Sequence, residues 1–210
     1  MTPRVLGVIP ARGGSKRIPR KNLRPLCGKP LIQWTFEAAN AATSLTSLVV
    51  STEDEEIRDV ALSLGCYVIR RPDELAEDLA SSDAVALHAL EWMGGDYDIV
   101  CLLHPTSPIR DWKHIDEAVS TLWASAAPSL ASVEYAKRSY RHNASIYAAK
   151  VPFTSLYGDG TLPYLMDRRH SVDIDTEEDL KIAELFLADM VHGQVGHSGR
   201  DTAEARLRAA

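Results

Sequence analysis

From Met1 to Phe36 this 210-residue chain contains no aspartate or glutamate, although the whole sequence holds 29 acidic residues against 23 Lys and Arg. Seven basic residues crowd between Arg12 and Lys29, so the formal net charge of −6 hides one cationic loop on an acidic body. That asymmetry argues against a nucleic-acid surface, which needs a broad basic face, and suits a small anionic ligand instead. Cysteine is scarce. Cys27, Cys66 and Cys101 are far apart and form no C-x-x-C pair, which argues against a disulfide framework or a thiolate metal site and leaves reduced, buried thiols as the expectation. No apolar run approaches the ~20 residues of a membrane-spanning helix. The N-terminus enters a strand at once, leaving no room for a signal peptide, so a cytoplasmic location with no membrane partner is expected. Neither G-x-x-x-x-G-K-[ST] nor G-x-G-x-x-G occurs, which removes two common phosphate loops. Internal repeats and low-complexity tracts are missing too.

What is present alternates between strand and helix. Val5–Pro10, Leu48–Ser51, Cys66–Ile69 and Asp98–Leu103 are short apolar runs that read as buried strands. Between them, 31–39, 53–64, 81–93 and 112–125 carry helical periodicity, with Ser81 or Ser82 as one cap and Gly65 as a stop. Leu130–Tyr135 and Ser145–Ala149 read as short strands, separated by the polar stretch Lys137–Asn143. Thr176–Met190 is a strong helix with Thr176 as cap and three acids in its first turn, where the helix dipole favours them. Trp34, Trp92, Trp112 and Trp123 fall on helix faces and are expected in the core or half-buried. This pattern predicts one α/β domain over residues 1–191 with a mainly parallel sheet, followed by a flexible tail at 192–210. In such sheets ligands gather beyond the carboxyl ends of the strands. The basic loop, the turn after Ser51, His104–Pro108 and the Asp173/Asp175 pair all lie at such ends.

Three motifs carry chemistry. Ala11-Arg12-Gly13-Gly14-Ser15-Lys16 leaves the first strand as a Gly-rich turn that can aim backbone N–H groups at an anion; a solvated basic turn is the plainer alternative. In Ser171-Val172-Asp173-Ile174-Asp175-Thr176, a spacing of two in a strand puts both carboxylates on one side, where they can grip one hard cation. Acid pairs are also common on solvated strands. His104 ends a buried strand before a double-proline turn, and read alone it is a packing or capping residue.

Taken in order, these segments resemble the acylneuraminate cytidylyltransferases, which activate sialic-acid-like sugars with CMP. The resemblance rests on Ile9-Pro10-Ala11-Arg12-Gly13-Gly14-Ser15-Lys16 with Pro19-Arg20-Lys21-Asn22, Val50-Ser51-Thr52, Arg71-Pro72-Asp73-Glu74-Leu75-Ala76 with Ala80-Ser81-Ser82, Leu102 to Pro108, and Ser171 to Glu177. It implies a three-layer Rossmann-like nucleotidyltransferase fold. It also implies that Arg12 and Lys21 hold the CTP triphosphate beside Ala11, Gly13, Gly14 and Ser15, and that Asn22 contacts the nucleotide. Arg71, Ala80 and Ser82 would read cytosine and its ribose, and Asp173 and Asp175 would hold Mg²⁺. Arg12, Lys21 and Asp175 would carry the catalytic charge, since an attack at the α-phosphorus needs the leaving pyrophosphate neutralised.

Two departures concern the acceptor. His104 stands where the family usually has Gln, and the stretch between Ser132 and Asn143 is short, trimming the arm that supports dimerisation and the sugar pocket. A smaller acidic acceptor, a phosphonate such as phosphonoformate, is therefore expected, held by His104, Arg110, Arg141, His142 and Asn143. A nonulosonic sugar acid (sialic, legionaminic or pseudaminic) is the alternative. A nucleotide-sugar glycosyltransferase and a non-catalytic CTP-binding module are more distant readings. The family tendency makes a homodimer an expectation as well.

Overall fold

The structure is a computed structural model that describes residues 2–77, 79–136 and 139–190; the tail expected at 192–210 lies outside these residues. The order of elements is β1 (Val5–Pro10), β2 (Pro25–Leu26), β3 (Lys29–Pro30), α1 (Leu31–Ala41), β4 (Ser47–Thr52), α2 (Glu55–Ser63) and β5 (Tyr67–Arg70). There follow α3 (Ser82–Met93), β6 (Ile99–Leu103), α4 (Trp112–Ala124), β7 (Ser129–Ala136), β8 (Ser139–Lys150) and β9 (Leu162–Leu165). Residues 177–190 are helical and are called α5.

Within the described residues a seven-stranded sheet runs β5-β4-β1-β6-β8-β7-β9. The first four strands are mutually parallel, β8 is antiparallel to both its neighbours, and β9 pairs parallel with β7. Strand periodicity explains why helices cover both faces. In β1, Val5 and Ile9 join one apolar cluster while Leu6 and Val8 join the other. In β6, Ile99, Cys101 and Leu103 face the first cluster, and Val100 and Leu102 the second. Side chains from α1, α2 and α4 complete the first cluster, and Ala86 and Ala89 of α3 contribute to the second, giving three layers. Each large aliphatic side chain buried in this way contributes about 1.5–3 kcal/mol. A third cluster brings Ile18 and Leu26 of the basic region against Ile174, Leu180, Ala183 and Leu187 near the end of the described chain.

Helix starts follow local chemistry. The Asp54 carboxylate accepts from Ile57 N to start α2, Ser81 accepts from Ala84 N to start α3, and Asp111 forms a capping box with His114 at α4. Thr176 and Asp179 reciprocate in the same manner ahead of α5.

Several expectations need correction. The stretch 139–143, read as a polar connector, is the first part of β8, and Ala136 pairs with Ser139. No buried face marks Ser139 to His142, because all four are exposed. A bulge between Ala131 and Val133 interrupts the β7–β8 ladder, and Ala144 there takes φ 54°. Residues 172–175 form no strand: Ile174 N donates to Thr106 O instead, and the Ile174 side chain is buried. Cys27 is exposed, while burial of Cys66 and Cys101 pushes both thiols up to about 12. Trp92, Trp112 and Trp123 are surface residues.

Candidate nucleotide site

A cavity of about 320 Å³ opens at the carboxyl ends of β1 and β6, where the chain order in the sheet reverses. It is lined by Arg12, Ser15, Lys21 and Asn22 from the basic loop, Arg71 after β5, Ala80 and Ser82 at the start of α3, His104 after β6, and Asp173 and Asp175. Segments separated by more than 150 positions therefore meet in one place. The Lys21 ammonium donates to Ile174 O at 2.8 Å and to Asp175 Oδ1 at 3.2 Å.

The loop's own backbone is largely occupied. Ala11 N donates to Ser51 O, Ser15 N to Gly13 O, and Gly13 N to Glu53 Oε1 at 2.7 Å. Asn22 is buried and its Nδ2 donates to Arg12 O at 2.9 Å, bracing the loop from within. Gly13 is required by close approach, because a Cβ there would lie 2.3 Å from Asp54 Oδ2, whereas one on Gly14 would meet nothing within 4 Å. Neither Ala11, Gly13 nor Gly14 lines the cavity. The side-chain cations of Arg12, Lys21 and Arg71 thus line the cavity, together with the carboxylates of Glu77, Asp173 and Asp175.

Those cations have different settings. Arg71 is buried, donating to Ser51 O at 2.5 Å and Leu75 O at 3.1 Å. Burial pushes its guanidinium down to about 10, opposed by the charge of Glu53 and reinforced by that of Arg12. Arg20 faces away from the cavity and forks onto Asp54, also reaching Glu56. Arg17, not singled out in the sequence, pairs with Asp175 at 2.8 Å.

The two aspartates differ in the same way. Burial, with Asp175 adding to it, raises the Asp173 carboxyl above its ordinary range, against a hydrogen bond from Thr106. Its Oδ1 is buried with no partner. Burial also acts on Asp175, but Lys21 and Arg17 outweigh it and hold that carboxyl low. Among the described residues, no group of three or more His, Cys, Asp and Glu is placed to hold a metal. Two hard carboxylates, one with a buried oxygen that has no partner, would suit a divalent cation of the Mg²⁺ type.

Of the five residues expected to hold the acceptor, only His104 lines the cavity. Its Nε2 is excluded from solvent without a partner, and its ring meets Tyr147 edge-on at 5.8 Å. Burial first, then the charges of Arg110, Arg71 and Lys21, push it down to about 4, so the imidazole is neutral. Arg110 is a buried structural cation that donates to Ser145 O, Thr35 Oγ1 and His104 O. Asn143 is buried among serines, accepting from Ser132 Oγ and donating to Ser171 Oγ. His142 lines a separate hollow with Tyr157, and Arg141 is exposed on β8 opposite Glu134. Glu53, Arg17 and Thr106 escaped the sequence reading; the signal was the acidic run 53–56, placed just after β4 beside an acid-free loop.

Known proteins resemble this chain in sequence and in fold. A family model described as cytidylyltransferase matches residues 6–188. The chain is 33% identical to the CMP-N,N'-diacetyllegionaminic acid synthase of Legionella pneumophila, over 88% of this chain and 96% of that protein. It is also 33% identical to the N-acylneuraminate cytidylyltransferase of Escherichia coli over 87% of its own length, spanning about half (52%) of that longer relative. The Legionella alignment is 226 residues long, longer than this chain, so the relative carries residues that this chain lacks. In fold, it superimposes on a CMP:2-keto-3-deoxy-manno-octonic acid synthetase complexed with CTP at a TM-score of 0.73 and 17% identity, covering 89% of this chain and 99% of that one. No described helix is long and apolar enough to cross a membrane. With a family model over residues 6–188 and a relative 33% identical over 96% of its own length, the chain belongs to the cytidylyltransferase family of nucleotidyltransferases.

Proposed function

We propose that this chain transfers CMP from CTP to a nonulosonic sugar acid and releases pyrophosphate. The observation that carries the proposal is the meeting of Arg12, Lys21 and Arg71 with Asp173 and Asp175 around one cavity at the sheet's switch point. In this reading an acceptor oxygen attacks the α-phosphorus as the bond to the leaving pyrophosphate breaks. Arg12 and Lys21 stabilise the negative charge that accumulates on the leaving group. Arg71, Ala80 and Ser82 hold the cytidine, with Ser15 and Asn22 lining the phosphate end. A divalent cation, Mg²⁺ by donor type, would sit on Asp173 and Asp175 and draw off charge from the phosphates. His104 serves the acceptor as a neutral hydrogen-bonding group.

Relatives named for N-acylneuraminate, N,N'-diacetyllegionaminic acid and pseudaminic acid support the sugar-acid acceptor. The phosphonate expected from the shortened arm has less behind it. It required a cluster of cations around a small dianion, and Arg110, Arg141, His142 and Asn143 do not gather at the cavity. The homodimer belongs to this reading too: Tyr135 and Tyr140 are exposed and meet edge-on near the end of the β7–β8 hairpin, a surface that a second copy would cover.

The test is pyrophosphate release with CTP and Mg²⁺, across N-acetylneuraminic, legionaminic and pseudaminic acids and phosphonoformate. Release with at least one sugar acid, and none when ATP replaces CTP, is the expected result. Release with phosphonoformate alone would restore the small-acceptor reading. Tight CTP binding with no release from any acceptor would make the chain a nucleotide-binding module. Light scattering of the purified protein reads the oligomeric state.

A further inference from the structure

We infer that Glu53 is a positioning residue whose carboxylate fixes the Arg12–Ser15 loop and the Arg71 guanidinium together before nucleotide arrives. The inference rests on the CTP reading for its consequence, but its geometry is independent of any ligand. Glu53 follows directly on β4 and does not line the cavity. One carboxylate oxygen accepts from Gly13 N at 2.7 Å, taking up the amide that a Gly-rich turn would otherwise offer to an anion. The other oxygen lies 3.7 Å from Arg71 Nε, and both of these atoms are buried with no hydrogen-bond partner.

The remaining Arg71 nitrogens are committed to the carbonyls of Ser51 and Leu75, and Ser51 O also accepts from Ala11 N. The end of β4 therefore holds the entry to the loop, the middle of the loop and Arg71 on three consecutive residues. Glu53 is the acidic side chain paired with Arg71, and its charge opposes the cost of burying that guanidinium. A carboxylate behind the cavity wall sets the spacing between a phosphate-end cation and a nucleoside-end cation, and does so without competing for either ligand surface.

Two variants separate the roles. In Glu53→Gln the amide oxygen still accepts from Gly13 N, but the side-chain NH₂ then faces Arg71 Nε–H, donor against donor. Glu53→Ala removes both contacts. We expect KM for CTP to rise at least tenfold in Glu53→Gln with kcat changed less than threefold, the pattern of lost uniform binding, and in Glu53→Ala, where the loop that carries Arg12 is also released, KM to rise further and kcat to fall. In the free protein, exchange of the Gly13 amide hydrogen, read by NMR, should stay protected in Glu53→Gln and become at least tenfold faster in Glu53→Ala. Wild-type KM in a folded Glu53→Gln variant, or unchanged Gly13 protection in Glu53→Ala, would overturn the inference. If Glu53→Ala does not fold, the near-isosteric Gln variant decides by its KM. Should the native protein neither bind CTP nor release pyrophosphate, the functional reading fails by itself, while the exchange measurement still judges Glu53.

Discussion

Adding one methyl group at Gly13 tests how tightly the basic loop is built. The new Cβ would lie 2.3 Å from Asp54 Oδ2 and 2.8 Å from its Cγ, too close for any real contact. The loop cannot retreat easily, because Gly13 N is tied to Glu53. Asp54 must therefore rotate, and it is committed twice. Its Oδ1 caps α2 through Ile57 N, and both oxygens receive the Arg20 fork. Loss of the cap costs about 0.5–2 kcal/mol. Loss of the partly exposed ion pair adds about 0–1 kcal/mol. Gly13→Ala should thus lower stability by roughly 0.5–3 kcal/mol, a fall in Tm of about 1–12 °C for a chain of this size. Urea unfolding followed by circular dichroism measures it, with Gly14→Ala as the open-space control. The decisive arm is the double-mutant cycle. In an Asp54→Gly background the cap and all three close atoms, the Cβ at 3.0 Å included, are already gone, so Gly13→Ala should cost less than about 0.5 kcal/mol. An equal cost in both backgrounds would refute the steric account, as would a Gly13→Ala variant as stable as the native protein.

Lys21→Ala should reduce kcat/KM for pyrophosphate release by about 2–4 kcal/mol of transition-state stabilisation, and Asp175→Asn should abolish turnover; native rates in both would dismiss the site. Arg110→Ala leaves Ser145 O and Thr35 Oγ1 short of a buried donor, while His104 O keeps Ser107 N and Thr35 Oγ1; at about 1–3 kcal/mol for each unsatisfied group, a thermal melt should show a clearly destabilised protein. His104 is held neutral down to about 4, below its ordinary value, so the unfolded chain binds its proton first on acidification. Its share of stability is complete above about pH 6.5 and drains away towards pH 4, by at most about 1.4 kcal/mol per pH unit. His104→Gln should flatten the pH dependence of unfolding in that window, and an unchanged slope would show that the imidazole is not held neutral.

The parallel half of the sheet was legible because β1 and β6 bury both faces, so Val5–Pro10 and Ile99–Leu103 read as apolar runs. The outer half was not. Ser139 to His142 expose every side chain, leaving no alternation to read. Beyond them Ser132, Asn143 and Ser171 are buried polar groups that satisfy one another, a pattern that resembles a loop in sequence. Asp173 and Asp175 were found by their spacing, but the force that aligns them is the burial of Ile174 and its bond to Thr106 O rather than a sheet. Arg110 misled for a physical reason: composition cannot show that a guanidinium is spent on carbonyls. Arg12 and Lys21 stood out because cations without nearby acids in sequence had to be answered from elsewhere, whereas Arg71, close to Asp73 and Glu74, entered only through the family resemblance.

The bond from Lys21 to Asp175 joins residues 154 positions apart, and that separation sets a timetable. A chain emerging from the ribosome can complete β1, the basic loop and the parallel strands while its pocket still lacks Asp173 and Asp175. Only when residues up to 175 are available can the two ends close on each other, so long-range closure comes late in folding. Nucleotide binding is then a property of the finished molecule alone, and CTP added during refolding would act as a reporter of the final step.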